Sequence, residues 1–261
     1  MLYTTVWEVL DSYVLSHEIR DETVAAYRRN VSVFCAWYGR AVPNRRLTVK
    51  TCNRFLAAKQ DAGCSWSYRK GLRATLRLLL NHLGRGGKLR SVKAEPLEPE
   101  AWTEAEVAKL INAAPAGPWK AIIEFAYYSG LSQADLERVE RRHIVDDLLR
   151  WRRSKTGTLI VAWIPTSLTE RLPAKGRCFE RTCSGEWFRQ QFRRIVAKAG
   201  LRGTFKKLRK SSGTSVESLH PGCGHIHLGN TRRVFELHYL DREKGVKPTP
   251  PAMLNTRPPG E

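Results

Sequence analysis

No run of about 18 apolar residues, the length a helix needs to cross a bilayer, occurs in the sequence. The longest candidates are short stretches such as Ala121 to Tyr128, so a membrane span is excluded. The opening MLYTTVWEVLDSY lacks a basic leader followed by an apolar stretch, so it does not read as a secretory signal, and a cytoplasmic location is expected. Paired CxxC spacings are also missing: the six cysteines fall at irregular intervals. They read as free thiols in a reducing compartment, with Cys35 and Cys52 where small buried residues belong. Cys178 and Cys183 with Cys223, His225 and His227 form the sharpest potential zinc group. The CxxxxC spacing is too loose for the reading to carry, and no metal is expected. Acidic residues are scarce, with 25 Asp and Glu against 45 Lys and Arg, a formal charge of +20. That excess is more than solubility requires and points to a polyanionic partner. A merely basic surface and attraction to anionic lipid are the plainer alternatives.

What is present is enough for a proper core: the apolar fraction is 42%, with eight each of Trp, Tyr and Phe. A length of 261 residues accommodates one large domain or two. Val6, Val9, Leu10 and Tyr13 mark one amphipathic helix, and Val24, Tyr27, Val31, Phe34 and Trp37 mark a second that ends at Gly39. Thr48 can cap a third helix and Ser65 a fourth, which runs to Leu83. On the fourth, Leu72, Leu76, Leu79, Leu80 and Leu83 form the buried stripe, while Arg69, Arg73 and Arg77 recur along the other side as a rail suited to phosphates. Charged helix faces are usually only solvated, but this one has no interspersed acids.

The stretch 85–101, rich in Gly, Pro and charge, reads as a linker between a helical domain over 1–84 and a second domain over 102–241. Thr103 opens a capping box with Glu106. Further helices are expected from Pro118 to Tyr128, with a break at Ser129 and Gly130, and from Gln133 to Arg142. Leu148–Arg153 and Thr158–Ile164 then read as two strands of a hairpin around a Lys-Thr-Gly turn. Helices resume over 186–199 and after Lys206, and residues 242–261, with their prolines, are expected to be a disordered tail. The fold class is mainly α with a small antiparallel β-sheet.

A helical module, a linker, helices, a small sheet with Lys on its turn, more helices and a late Tyr: this order resembles the tyrosine recombinases, or phage integrases, over nearly the whole chain. The resemblance implies a four-helix, SAM-like core-binding domain and a catalytic domain that together clamp duplex DNA. YYSGLSQADLERVERRHI resembles the family's first box, with Ser132 in place of its Arg. SKTG resembles the hairpin motif and puts Lys155 in the lysine role. TFKKLRKSSGT resembles the His-x-x-Arg box, with Arg209 matching and Lys206 replacing His. HLGNTRRVFELHYLD resembles Leu-Gly-His followed nine residues later by Tyr, so Tyr239 matches and Asn230 stands where His or Trp is usual. Three positions match and three depart.

The implied chemistry uses neither metal nor ATP. It requires an oxygen nucleophile, cations around the phosphorane-like transition state and an acid for the leaving 5′-oxygen. Tyr supplies the first, Arg is the two-pronged phosphate clamp, and Lys155 can reach the leaving oxygen. Taken alone, Tyr239 would read as a packing residue of the amphipathic FELHYL segment; its place after the LGN box singles it out. Arg209, with Lys206, Lys207 and Lys210, would otherwise be a basic helix start that still favours nucleic acid. Ser132 cannot replace a two-pronged cation. Lys206, or one of Arg138, Arg141 and Arg142, is expected to return the charge, and one of His220, His225 and His227 could supply an imidazole. The expected function is site-specific recombination on double-stranded DNA by a homo-oligomer on paired sites. Its rivals are an integrase relative that kept the clamp and lost catalysis, and a basic RNA-binding protein.

Overall fold

The computed structural model describes residues 3–39, 42–93, 98–179 and 185–245. Two compact units divide the chain, Met1–Pro96 and Leu97–Glu261. The first holds four helices, α1 Val6–Leu15, α2 Asp21–Tyr38, α3 Val49–Asp61 and α4 Trp66–His82. Three begin on a hydroxyl that takes a backbone N–H of the first turn: Thr5 from Glu8, Thr48 from Thr51 and Ser65 from Tyr68. Gly39 stops α2 at φ 134°, where an L side chain is strained. The apolar faces meet in a core that includes Leu10, Phe34, Phe55, Leu76 and Leu79, with Phe34 and Phe55 packed edge to face at 5.2 Å. Packing continues past residue 84. Leu89 is buried in this core, and the next backbone N–H, that of Arg90, donates to Asn53 Oδ1 at 2.8 Å.

The second unit opens with α5 Glu104–Ala113, capped by the Thr103–Glu106 box, α6 Pro118–Ser129 and α7 Gln133–Leu136. Gly130 ends α6 in the left-handed region at φ 61°. The helix expected to run from Gln133 to Arg142 stops at Leu136. Val139 and Arg141 bond instead to the segment before Cys178: Cys178 N donates to Val139 O at 3.0 Å and Arg141 N to Gly176 O at 2.8 Å. Those bonds form a single antiparallel bridge between Glu140 and Arg177, after which Arg141–His143 turn into a short 3-10 helix. A three-stranded antiparallel sheet follows in the order β1 Ile144–Val145, β2 Leu148–Arg152, β3 Leu159–Trp163. Leu149 opposite Ala162 and Trp151 opposite Ile160 turn to the core side. Next come α8 Thr166–Thr169, α9 Gly185–Lys198, α10 Phe205–Leu219, α11 Gly224–His227, α12 Arg232–His238 and α13 Arg242–Gly245.

The last element replaces the start of the tail expected to be disordered. Buried Asp241 accepts Ala101 N at 2.8 Å and its own N–H donates to Thr214 Oγ1 at 3.1 Å, which fixes the chain where α13 begins. Residues 246–261, the rest of that expected tail, lie outside the described residues. No described helix is long and apolar enough to cross a membrane.

Candidate functional site

The start of α10 carries Lys206, Lys207, Arg209 and Lys210, and the helical period sends them different ways. Arg209 points inward and is only 3% exposed. Its guanidinium donates to the carbonyl of Gly130, at the end of α6, and to that of Leu228, just past α11, at 2.5 Å. Both are helix-end carbonyls without an intrahelical partner, natural acceptors for a buried cation. Burial, and then the charge of Arg153, push the Arg209 guanidinium down to about 10. It stays charged at neutral pH.

Arg153 is the second buried cation, 8% exposed, one residue past the end of β2. Its Nη1 donates to Leu228 O at 3.4 Å, Gly229 O at 3.1 Å and Asn230 Oδ1 at 2.9 Å. Both arginines thus share the Leu228 carbonyl and lie within a few ångström of each other. The close approach depends on Gly229 at φ 59°: a Cβ there would stand 2.6 Å from Ile160 Cγ2 and 3.2 Å from Arg153 Cδ. Among the described residues, the buried side-chain polar atoms left without a partner are Nε of Arg153, Nε of Arg209 and Nδ2 of Asn230. All three are N–H donors, all belong to this cluster, and neither arginine is ion-paired to a carboxylate among the described residues. Three unpartnered N–H groups gathered around two buried cations fit an oxyanion.

Tyr239 closes the cluster at the C-terminal end of α12. Its half-buried ring lies 5.3 Å from Arg209 Cζ and 5.5 Å from Lys206 Nζ. Burial alone would raise the phenol, but Arg209, Lys206 and Arg153 outweigh it and hold Tyr239 below its usual value. Just before the LGN segment, His227 is held down by burial and by Arg209, to about 4. Its Nε2 is paired with Ser212 Oγ at 2.7 Å, so at neutral pH it is a neutral ring.

The remaining sequence candidates sit elsewhere or face another way. Ser132 caps α7: its hydroxyl donates to Asp135 Oδ2 at 2.7 Å and accepts Asp135 N at 3.3 Å. Asp135 is buried and also takes Trp151 Nε1, Ser154 N and Ser154 Oγ at 2.9 to 3.1 Å, pinning the hairpin next to Arg153. Lys155 is exposed on the turn, and no hydrogen bond, ion pair or cation–ring contact among the described residues ties it to Tyr239. Of the arginines expected to return the missing charge, Arg141 donates to Ile144 O at 2.9 Å, Arg142 pairs with Glu140 at 2.8 Å and Arg138 is exposed. Lys207 turns from Tyr239 to Glu100, at 3.0 Å, and to the Trp102 ring. Lys210 is half-buried and pushed down by burial and by Lys206. In the first unit Arg69 donates to Cys64 O and Gln60, Arg73 to Arg90 O, and Arg77 is exposed. Cys178 is a core residue whose thiol burial pushes up to about 11, Cys223 is exposed, and Cys183 lies outside the described residues. Among the described residues no group of three His, Cys, Asp or Glu could hold a metal ion.

The residue sequence reading missed is Arg153. Its signal was parity: Arg153, one residue past β2, continues the alternation of Leu149 and Trp151, so an inward position just after the strand carries a charge.

No protein-family model matches the chain, and no curated protein matches it in sequence. Solved structures do. A lambda integrase dimer (residues 75–356) bound to a COC′ core site is 22% identical, with 95% of this chain and 99% of that chain covered and a TM-score of 0.75. A lambda integrase tetramer bound to a Holliday junction is 22% identical, with 87% and 77% covered and a TM-score of 0.72. The Tn1549 transposon integrase in complex with circular intermediate DNA is 12% identical, with 94% and 96% covered and a TM-score of 0.66. The chain therefore has the fold of these tyrosine recombinases.

Proposed function

We propose that this chain cuts and rejoins double-stranded DNA through a 3′-phosphotyrosine intermediate on Tyr239. The observation that carries the reading is the Tyr239 ring set 5.3 Å from the buried Arg209 guanidinium, beside a cluster of buried N–H donors without partners among the described residues. The phenol, held below its usual value, gives its proton to solvent water more readily than a free tyrosine does. Its oxygen then forms a bond to the scissile phosphorus while the P–O5′ bond breaks. Arg209 meets the charge that builds on the phosphoryl oxygens, and Asn230 offers a further donor. A lysine ammonium, Lys206 beside the ring or Lys155 from the turn, gives its proton to the departing 5′-oxygen. The phosphotyrosine diester keeps the bond energy, so the 5′-hydroxyl of another strand can reverse the step. No metal and no nucleotide cofactor enter.

The partner in this reading is duplex DNA. The net charge supports it, as does the DNA to which the similar integrases are bound. Their dimers and tetramers support a homo-oligomer on paired sites. Arg69, Arg73 and Arg77 in the first unit, with Lys207 and Lys210 in the second, would add backbone contacts. The rival is a DNA-binding regulator without catalysis, favoured by the Ser132 hydroxyl being used up on Asp135.

Trapping separates the two. Duplexes with randomised flanks and one 5′-bridging phosphorothiolate release a thiol that cannot religate, so any cleaving enzyme accumulates as a covalent adduct. We expect an adduct with the natural chain and none with Tyr239→Phe. Sequence-selective binding without an adduct would establish the regulator.

A further inference from the structure

We propose that Arg153 is the second arginine of a phosphate clamp, presented from the hairpin opposite Arg209, and that it contacts the scissile phosphate directly. The inference rests on the cleavage reading above and names a group that reading did not use.

Three observations carry it. Arg153 is a buried cation with an unpartnered Nε and no carboxylate partner among the described residues, a costly arrangement unless an anion completes it. Its Nη1 is tethered to Leu228, Gly229 and Asn230, so the side chain is held in place before any ligand arrives. It also shares the Leu228 carbonyl with Arg209, and its charge acts on both Arg209 and the Tyr239 hydroxyl. Two like charges held this close repel each other, and an oxyanion between them turns that repulsion into attraction on both sides. A phosphodiester has two non-bridging oxygens, one for each guanidinium. Ser132 contributes no cation there, and its hydroxyl is occupied by Asp135. Asp135 fixes Ser154 and Trp151 on either side of Arg153 and so acts as a positioning residue for it.

The test uses the full chain and the phosphorothiolate duplexes, first with the trapped sequence identified. Arg153→Gln is expected to slow adduct formation by roughly a hundred- to thousandfold at saturating protein, with duplex binding retained. Arg153→Lys keeps the charge and loses the fork, falls in between, and is the folded variant to use if the glutamine form melts early. The deciding readout replaces one non-bridging oxygen of the scissile phosphate by methyl, which removes the charge to be neutralised. The gap between natural and variant rates should then collapse. An unchanged rate in Arg153→Gln, or an equal loss on the charged and the methylphosphonate substrates, overturns the assignment while leaving cleavage by Tyr239 standing. Failure of the natural chain to form any adduct removes the cleavage reading itself.

Discussion

Buried polar residues are divided unevenly between the two units. In the first, Thr75 is the one polar residue among the buried ones described, and its hydroxyl accepts Asn30 Nδ2 at 2.9 Å. The second buries Asp135, Arg153, Arg209, Ser211, Ser212, Thr214 and Asp241 among others. Apolar contact alone accounts for the first core, where each buried side chain strengthens the fold. In the second, groups that cost desolvation are buried, and two of them, Arg153 and Arg209, lie in the cluster beside Tyr239, the arrangement the proposed function uses. Substitutions should therefore lower stability in one unit and chemistry in the other.

The largest stability effect is expected from Phe55→Ala. Phe55 is fully buried between Phe34 and Trp37, and deleting such a ring typically costs about 3–5 kcal/mol. Denaturant unfolding of the first unit's transition reads it directly. Arg209→Met is the counterpart in the second unit. Removing one preorganised donor should lower the adduct rate by about 2.7–4 kcal/mol of barrier. The fold should change by about 1 kcal/mol or less, because loss of a buried unpaired charge offsets the two carbonyls left without a donor. If Arg209→Met unfolded the protein as badly as Phe55→Ala, the division between the units would be wrong.

That division also explains what could be read from sequence. Helices with caps and an apolar stripe, such as α4 behind Ser65 or α5 behind Thr103, are local signals and stood out. The hairpin did too, because the alternation of β2 and β3 and the Lys-Thr-Gly turn are local. The end of α7 at Leu136 was not legible, since it is set by bonds from Val139 and Arg141 to residues 176–178, far along the chain. The start of α13 depends likewise on Asp241 meeting Ala101. At the site, box order picked out Tyr239 and Arg209. That Lys207 turns to Glu100 and that Arg153 lies beside Arg209 depended on contacts between segments distant in sequence, which no single window contains.

Two pH effects sharpen the contrast. Adduct formation should rise with pH and level off below the usual tyrosine range of about 10, because Arg209, Lys206 and Arg153 favour the phenolate against burial. In Lys206→Gln the plateau should move to higher pH; an unmoved profile would mean that Lys206 does not act on the hydroxyl. His227 works on stability. Its folded value, about 4, lies below the unfolded value near 6.5, so the unfolded chain binds more protons between them. The stability tied to its neutral form is complete above about 6.5 and lost as pH falls toward 4. The melting temperature of His227→Gln should fall less steeply over that window than that of the natural chain.

The smallest effect belongs to the first unit's surface. Arg77 is exposed on α4, on the face shared with Arg69 and Arg73, and touches nothing in the core. If that face follows the DNA backbone, Arg77→Gln removes one phosphate contact, which lowers the slope of log affinity against log salt by about 0.9. The loss should be similar for all sequences, because a phosphate contact carries no base information. Melting temperature should stay unchanged and the adduct rate at saturating protein should too, since the substitution leaves both the apolar core and the arginines around Tyr239 untouched. A change in sequence preference would instead place Arg77 at a base edge. An unchanged salt slope would confine the DNA footprint to the other basic residues, and the first unit's rail would then be only a solvated helix face.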